Sequence, residues 1–363
     1  MRFPEFEGEW EKKRLGEIGD VKMCRRVFNN ETSPTGDIPF FKIGSFGKVA
    51  DAFISKELYL DYKNRFSFPK QGDILISAAG TIGRTVVYDG EDAYFQDSNI
   101  VWIENDNKMI TNNFLYYIFQ IVKYNTEGGT IQRLYNNILK STKFNAPSIT
   151  EQNKIASFLS LIDERISTQN KIIEELTLLK NTLRYLLFEQ ILIEDIKLVS
   201  IKDVLNYEQP TKYLVSDTDY SSDASKIPVL TANKSFVLGY TNEKFGIYDK
   251  GECIIFDDFT MDLKFVDFPF KVKSSAIKIL TPKLNVNLRF VFEYLCFMNL
   301  SSTDHKRHYI SEIESTEIKL PNIKKQNFVA IFLSNIDNKI KTEFEIYSQL
   351  NTQKQYLLSK LFI

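Results

Sequence analysis

The sequence predicts an α+β protein with an internal pseudo-two-fold repeat, in which two globular domains are separated by two long antiparallel coiled-coil helices. Three observations predict this fold class. Residues 147–188 and 321–362 align without a gap at an offset of 174 positions (147 to 321). Each copy carries a heptad pattern, and each follows a long block patterned as short strands. The 363 residues suffice for two or three domains, each with its own core.

The repeat is carried by identical residues at matched positions. They include Pro147 and Pro321, Gln152 and Gln326, Ile162 and Ile336, and Asp163 and Asp337. Buried-type positions step by four and three from Ile155 to Leu187, and again from Val329 to Leu361. Such a seam buries itself against a partner helix, and the natural partner of each copy is the other copy.

The sequence indicates where both predicted helices begin, and polar residues interrupt both heptad seams. Ser148 followed by Glu151 predicts a capping box, and Asn322 predicts an N-cap for the second copy. Polar residues break the two seams at the same two places: Gln169 and Glu343, and Lys180 and Lys354. We interpret them as register marks, because a polar seam residue costs stability and can fix the pairing of two helices.

The blocks before the two helices resemble each other and predict the domain boundaries. Gly72 to Ile76 resembles Gly251 to Ile255, and Ser98-Asn99-Ile100 parallels Ser275-Ala276-Ile277. The alternative, in which the helices form the core of one large domain, is disfavoured by these blocks of different periodicity. The predicted segments are a globular domain at 1–146, a helix at 147–191, a second globular domain at 196–317 and a second helix at 318–363.

Composition excludes several classes of protein and site. The opening residues have no apolar leader and no stretch is long enough to span a membrane, so we expect a cytoplasmic protein. Three scattered cysteines and two histidines lack metal-ligand spacing, so no metal site is expected. No nucleophilic triad or phosphate loop is present either, since Gly80-Thr81-Ile82-Gly83 has the wrong spacing. The sequence therefore predicts a chain that is not an enzyme.

Local charge is more informative than the net charge of −1, which comes from 46 basic and 47 acidic residues. Lys22, Arg25 and Arg26 form one basic cluster. Another cluster, Gly128 to Arg133, precedes the first helix and has its counterpart at Asp304 to Tyr309. Because such side chains reach bases and phosphates, paired clusters in two domains suggest paired DNA-contacting loops.

Several of these motifs resemble one family. The helix start Pro147 to Gln152 with Ile162-Asp163, and Gly72 to Ser77 followed by Gly80 to Gly83, are similar to the specificity (S) subunits of type I restriction-modification systems. In the second half, Pro228 to Lys234 and Phe256 to Thr260 resemble one class of target-recognition domain. The resemblance covers almost the whole chain. One departure is Lys325, which stands where the first copy has Glu151.

The resemblance implies a non-catalytic subunit with two target-recognition domains, each of which reads one half of a bipartite double-stranded DNA site. The helices would fix the spacing and recruit two modification (methyltransferase) subunits, beside restriction (motor-nuclease) subunits. S-adenosylmethionine, ATP and Mg would belong to those partners, with no cofactor in this chain. The DNA contacts that we expect from the basic clusters and from the resemblance are Lys22, Arg25, Arg26, Thr81, Arg84, Gln132, Arg133, Asn233, Lys234, Asp258, Thr260, Lys306, Arg307 and His308.

Two alternatives stay open on the sequence. A stand-alone sequence-specific DNA-binding protein would bind its site tightly as an isolated chain. A protein-binding scaffold would show no salt-dependent affinity for DNA, alone or in a complex.

Overall fold

The computed structural model describes residues 2–124, 133–231, 236–300 and 308–362. The chain divides into two compact units. Unit 1 is Met1–Gln169 with Ile346–Ile363, and unit 2 is Asn170–Glu345. Both divisions fall inside long helices, so each unit contains part of both.

Within the described residues, unit 1 has nine strands and three short helices before the first long helix. Its strands are β1 Glu11–Arg14, β2 Val21–Met23, β3 Ile38–Phe41, β4 Phe53–Ile54, β5 Ile74–Ser77, β6 Thr85–Val87, β7 Tyr94–Phe95, β8 Ile100–Ile103 and β9 Lys143–Ala146. Its helices are α1 Lys56–Arg65, α2 Asn112–Ile121, α3 Asn136–Ser141 and the start of α4 Ile149–Ile193. The strands pair in the orders β2-β8-β5-β6, β4-β3-β7 and β1-β9.

Unit 2 repeats this plan. Its strands are β10 Leu198–Ser200, β11 Leu205–Glu208, β12 Ile227–Leu230, β13 Val237–Thr241, β14 Cys253–Asp257, β15 Leu263–Val266, β16 Lys271–Val272, β17 Ile277–Pro282 and β18 Glu317–Lys319. Its helices are α5 Ile201–Val204, α6 Leu288–Phe297 and the start of α7 Ile323–Leu361. The orders β11-β17-β14-β15, β13-β12-β16 and β10-β18 match those of unit 1 strand for strand. The duplication therefore includes the globular parts, and the predicted α+β class with an internal repeat is confirmed.

The long helices pack in opposite directions within each unit. In unit 1 the buried seam residues Ile155 and Leu159, near the start of α4, share a core with Leu357 and Leu361 at the end of α7. In unit 2 the later seam of α4, around Phe188, shares a core with Val329 and Leu333 near the start of α7. Antiparallel pairing of the two heptad seams follows, as the sequence predicts.

The lysines that interrupt the seams form two matched ion pairs. Lys354 Nζ lies 2.6 Å from Asp163 Oδ1 in unit 1, and Lys180 Nζ lies 2.6 Å from Asp337 Oδ2 in unit 2. Adding the repeat offset of 174 positions to Asp163 and Lys180 gives Asp337 and Lys354. The two ion pairs are therefore equivalent, and each copy of the repeat supplies one aspartate and one lysine. These pairs are consistent with the interpretation of the two lysines as register marks.

Each ion pair is also tied to the short helix of its own globular part. In unit 1 the Tyr117 hydroxyl of α2 donates to Asp163 Oδ2 at 2.8 Å. In unit 2 the fully buried Glu293 of α6 lies 3.0 Å from Lys180 Nζ and 2.8 Å from Arg184 Nε. In both units, polar contacts at equivalent positions therefore join the pair of long helices to the globular part.

The repeated glutamine fastens each long helix to the cap of the neighbouring short helix. Gln152, which is 1% exposed, accepts from the Thr111 amide at 3.0 Å and donates to the carbonyls of Met109 and Pro147, both at 3.0 Å. Gln326 accepts from the amide of Asn287 at 2.9 Å and donates to the Pro321 carbonyl at 2.7 Å. Thr111 and Asn287 are the N-caps of α2 and α6. The motif Pro-x-x-x-x-Gln therefore connects the start of each long helix to the N-cap of the neighbouring short helix. We call each of these connections a joint.

Only one of the two hydrogen bonds of the predicted capping box forms. Ser148 Oγ accepts from the Glu151 amide at 3.4 Å, but the Glu151 carboxylate is taken by Arg2, at 2.8 and 2.7 Å. A bidentate arginine is a stronger partner for a buried carboxylate than a backbone amide, which explains the departure. In the second copy Asn322 Oδ1 accepts from the Lys325 amide at 3.1 Å, as predicted for the N-cap.

Candidate nucleic-acid interface

In unit 1 the end of strand β5 is held against the segment that leads into α3. The Leu134 amide donates to the Ala78 carbonyl at 2.9 Å, and the Ala78 amide donates to the Asn99 carbonyl at 2.8 Å. Arg133 forms a β-bridge with Ala79. These contacts fix the backbone of Arg133 beside the loop that contains Thr81.

Unit 2 contains the same arrangement at the end of β14. The His308 amide donates to the Asp258 carbonyl at 3.0 Å, and the Asp258 amide donates to the Ala276 carbonyl at 3.0 Å. His308 thus takes the place of Leu134, at the same offset of 174 positions that relates the long helices. By this register Arg133 corresponds to Arg307 in the sequence. The two globular parts therefore join equivalent segments by the same backbone hydrogen bonds.

The loop after β5 is a tight turn whose tip, Gly80 and Thr81, is exposed and which contains one anchored arginine. The Ser77 hydroxyl donates to the Thr81 carbonyl at 2.5 Å and accepts from the Arg84 amide at 2.8 Å. Arg84 Nη1 donates to the Phe46 carbonyl at 2.8 Å. Gly83 has φ of +85°, and a Cβ there would lie 3.2 Å from the Tyr124 ring. Thr81 is exposed, whereas Arg84 partly serves to hold the loop.

An open cleft of about 600 Å³ collects polar side chains from several parts of unit 1. We call it the unit 1 cleft. Its polar lining consists of Arg26, Asn29, Asn30, Lys42, Gln96, Asp97, Ser98, Asn99 and Arg133. Three cations face it with one carboxylate, so the cleft is locally positive although the chain is close to neutral. Arg26 and Arg133, which the sequence analysis placed in separate clusters, line the same cleft.

The other two members of the first basic cluster are placed differently. Lys22 lies on β2 with its ammonium 3.5 Å from Glu104, and Arg25 packs over the Phe66 ring at 5.3 Å. Neither side chain lines the unit 1 cleft. Only Lys22 lies on a strand, whereas Arg25 and Arg26 lie in the segment that follows β2.

In unit 2, two of the predicted contact residues lie in the interior. The Asp258 carboxylate is 1% exposed, lies 3.2 Å from Lys278 Nζ and accepts from the Tyr309 amide at 2.9 Å. His308 is 2% exposed, with Nδ1 3.2 Å from Glu312. A buried carboxylate needs such partners, so the prediction that these side chains contact DNA is corrected to a role in shaping the loop. Thr260 is exposed at the turn after β14.

The remaining predicted residues, Gln132, Asn233, Lys234, Lys306 and Arg307, lie outside the described residues. Conversely, the structure adds Lys42, Gln96 and Asn99 to the cleft. Gln96 Oε1 accepts from the Ile43 amide at 2.8 Å, which fixes the orientation of its carboxamide. The counterpart of Ser98-Asn99-Ile100 is Ser275-Ala276-Ile277, so the repeat did not single out Asn99, and no spacing in the sequence links Lys42 to Gln96.

The described residues also bear on metal sites and on membrane spans. Within them, no group of three or more His, Cys, Asp or Glu side chains could hold a metal ion. Among the described helices none has the length and apolar content needed to cross a membrane.

Known proteins resemble this chain in part or over its whole length. A provisionally named type I restriction enzyme specificity subunit from Haemophilus influenzae is 54% identical over 165 residues, which cover 45% of this chain and 42% of that protein. A type I restriction enzyme specificity subunit from Escherichia coli is 45% identical over 133 residues, 35% and 33% of the two chains. This chain therefore matches less than half the length of either relative. Another provisionally named specificity subunit, from Methanocaldococcus jannaschii, is 25% identical over 98% of this chain and 93% of its own.

Solved structures share the fold over the full chain. The S subunit of a type I restriction-modification system from M. genitalium has a TM-score of 0.65 and 17% identity, and it covers 100% of this chain and 99% of its own. A chain from a type I system, solved in work on complex assembly and conformational transition, has a TM-score of 0.51 and 14% identity over 98% of both chains. At these identities the likeness concerns the fold alone.

The family model for the type I restriction modification DNA specificity domain matches residues 7–178 and again residues 193–352. The two matches include both loop pairs and most of both long helices. They cover most of the chain, and their division follows the internal repeat. This chain belongs to the family of type I restriction modification DNA specificity domain proteins.

Proposed function

We propose that this chain is the DNA sequence-recognition subunit of a type I restriction-modification complex, and that each unit reads one half of a bipartite double-stranded site. The observation that carries the proposal is the pair of equivalent loop arrangements, at Ala78 with Leu134 and at Asp258 with His308. A duplicated reader suits a target in two parts, since each half then needs its own set of side chains. Family membership in two tandem matches supports the same conclusion.

Electrostatics favour recognition within a larger complex. DNA affinity depends on neutralising phosphates, and a chain with a net charge of −1 has no general attraction for them. The unit 1 cleft supplies only a local set of cations. The remaining attraction would come from partner subunits that enclose the same DNA.

We further propose that α4 and α7, which each contribute to both units, fix the gap between the half-sites and bind two modification (methyltransferase) subunits. In unit 2 these helices expose large apolar side chains, including Leu178, Tyr185, Leu186, Phe328 and Ile331. Exposed apolar clusters of this kind suit protein partners. Restriction (motor-nuclease) subunits would join the same assembly.

The catalytic activities of the complex would then belong to the partner subunits. Methylation of adenine with S-adenosylmethionine, and ATP- and Mg-dependent translocation and cleavage, are proposed for the other subunits, whereas this chain supplies recognition without catalysis. Acting on the chromosome of its host, the complex would work in the cytoplasm.

Binding selection on the reconstituted complex tests the proposal. The chain is purified with its modification subunits and incubated with a randomised DNA pool at several salt concentrations, and the bound DNA is sequenced. Two short motifs at a fixed separation are expected, with an affinity that falls as salt rises. Tight selection by the isolated chain would favour the stand-alone DNA-binding protein, and no enrichment under any condition would favour the protein scaffold.

A further inference from the structure

Arg133 combines a fixed backbone with an exposed side chain. Its backbone is bridged to Ala79, and the next residue, Leu134, is buried and hydrogen-bonded to Ala78 at 2.9 Å. The side chain of Arg133 is exposed. It lines the unit 1 cleft and also a second cleft of about 320 Å³, beside Tyr135. A side chain that projects from a fixed backbone into an open groove can be placed accurately on a ligand.

Within the part of the chain that the structure describes, the guanidinium of Arg133 differs from the other cations nearby in its partners. Among the described residues no carboxylate pairs with it. Arg26 lies 3.8 Å from Asp97 and packs over the Phe28 ring at 5.6 Å. Lys42 lies 3.4 Å from Asp51. Those two cations share their donors with carboxylates, which leaves fewer of these donors for the edge of a base.

Gln96 and Arg133, two side chains that can donate hydrogen bonds, line the unit 1 cleft together with the single carboxylate of Asp97. Gln96 uses its carboxamide oxygen on the Ile43 amide, so only its amide nitrogen is left to donate. Arginine has donors and no acceptor. In the major groove guanine presents two acceptors, N7 and O6, which match the parallel donors of one guanidinium, whereas adenine presents a donor beside its acceptor. Donors on both residues therefore fit guanine and reject adenine.

We infer that Arg133 is a specificity-determining residue that reads a guanine in the half-site recognised by unit 1. The inference rests on the proposed function and adds to it the identity of a base. Gln96 supplies a second donor to the same acceptor-rich edge, and Arg26 and Lys42 contact the backbone phosphates.

The test compares variants of the chain in the complex with its modification subunits, by binding selection followed by affinity measurements on single-base substitutions of the selected site. Arg133→Ala and Arg133→Lys should each lose discrimination at one G·C pair of one half-site, by about 5- to 150-fold. Arg133→Lys keeps the charge, so its affinity for unrelated DNA should stay close to that of the wild type. Arg26→Ala is the matched control, and should weaken all sequences alike without changing the motif.

Each result has a defined meaning. A uniform loss of affinity in Arg133→Lys and Arg133→Ala would make Arg133 a phosphate contact and overturn the inference. Loss of discrimination at an A·T pair, or no change at any position, would overturn it as well. A wild-type complex that selects no two-part motif would instead defeat the proposed function, and with it the inference that rests on it. Thermal unfolding of each variant complex identifies any loss that comes from misfolding, and Arg133→Lys provides the conservative substitution in that case.

Discussion

The joint formed by Gln152 offers the sharpest test of how the long helices hold the globular parts. Gln152→Ala removes a side chain that is 1% exposed and leaves three backbone groups without their partner. These are the Thr111 amide and the carbonyls of Met109 and Pro147, all at 3.0 Å. An unsatisfied buried amide costs about 1–3 kcal/mol and each lost bond to a carbonyl about 0.5–1.5 kcal/mol, so the expected loss of stability is roughly 2–6 kcal/mol.

Two variants serve as controls for this prediction. Gln326→Ala removes two bonds instead of three, so its expected cost is roughly 1.5–4.5 kcal/mol. Asn153→Ala changes the exposed neighbour of Gln152 and should stay within about 0.5 kcal/mol of the wild type. A greater effect of Asn153→Ala than of Gln152→Ala would point to the helix itself and away from the joint.

Urea unfolding, with hydrogen exchange measured residue by residue, checks the magnitude and the location. Gln152→Ala should lower the midpoint of unfolding and increase exchange at the Thr111 amide, because that amide loses its acceptor. Unchanged protection of Thr111 together with an unchanged midpoint would refute the assignment of Gln152 as a joint.

Two further predictions concern buried ionisable groups. Glu293→Gln should destabilise the chain by about 3–5 kcal/mol, because the fully buried carboxylate is paired with Lys180 and two arginines; an unchanged melting temperature would contradict this. Burial raises the pKa of Cys24 and Cys253 to about 12 and that of Cys296 to about 11. The unfolded thiols ionise near pH 8.5 and then bind fewer protons than the folded ones, so these cysteines lower the stability as pH rises above that value. A thiol reagent at pH 8 should label the buried Cys24 and Cys253 only in urea, and rapid labelling of these two thiols in the native chain would contradict their burial.

The long helices could be predicted because their information is local. A seam of Ile and Leu at heptad spacing determines both the helix and the face that it buries. Because the helix is duplicated, the same heptad pattern occurs twice in the sequence. The duplication also indicates that Lys180 and Lys354 are matched polar positions, although the sequence does not identify their aspartate partners. What could not be predicted was the diversion of Glu151 to Arg2, a residue 149 positions away, since a distant competitor leaves no trace in the local spacing.

The cleft could be predicted only in part, because remote strands assemble it. Parallel pairing of β3 with β7 places Phe41 opposite Phe95, and this brings the following residues, Lys42 and Gln96, to the same edge. Such pairing is non-local and has no signature in a single sequence. For Asp258 the resemblance implied a DNA contact, and no spacing in the sequence indicated its buried partner Lys278, which lies 3.2 Å away.

Mapping methylated adenines across the host genome tests the central claim most directly. Cells that contain the modification subunits are compared with and without this chain. One two-part motif should be methylated only when the chain is present. One half of that motif should change in Arg133→Ala. Methylation that is unaltered by removal of the chain, or a motif without two separated halves, would contradict it.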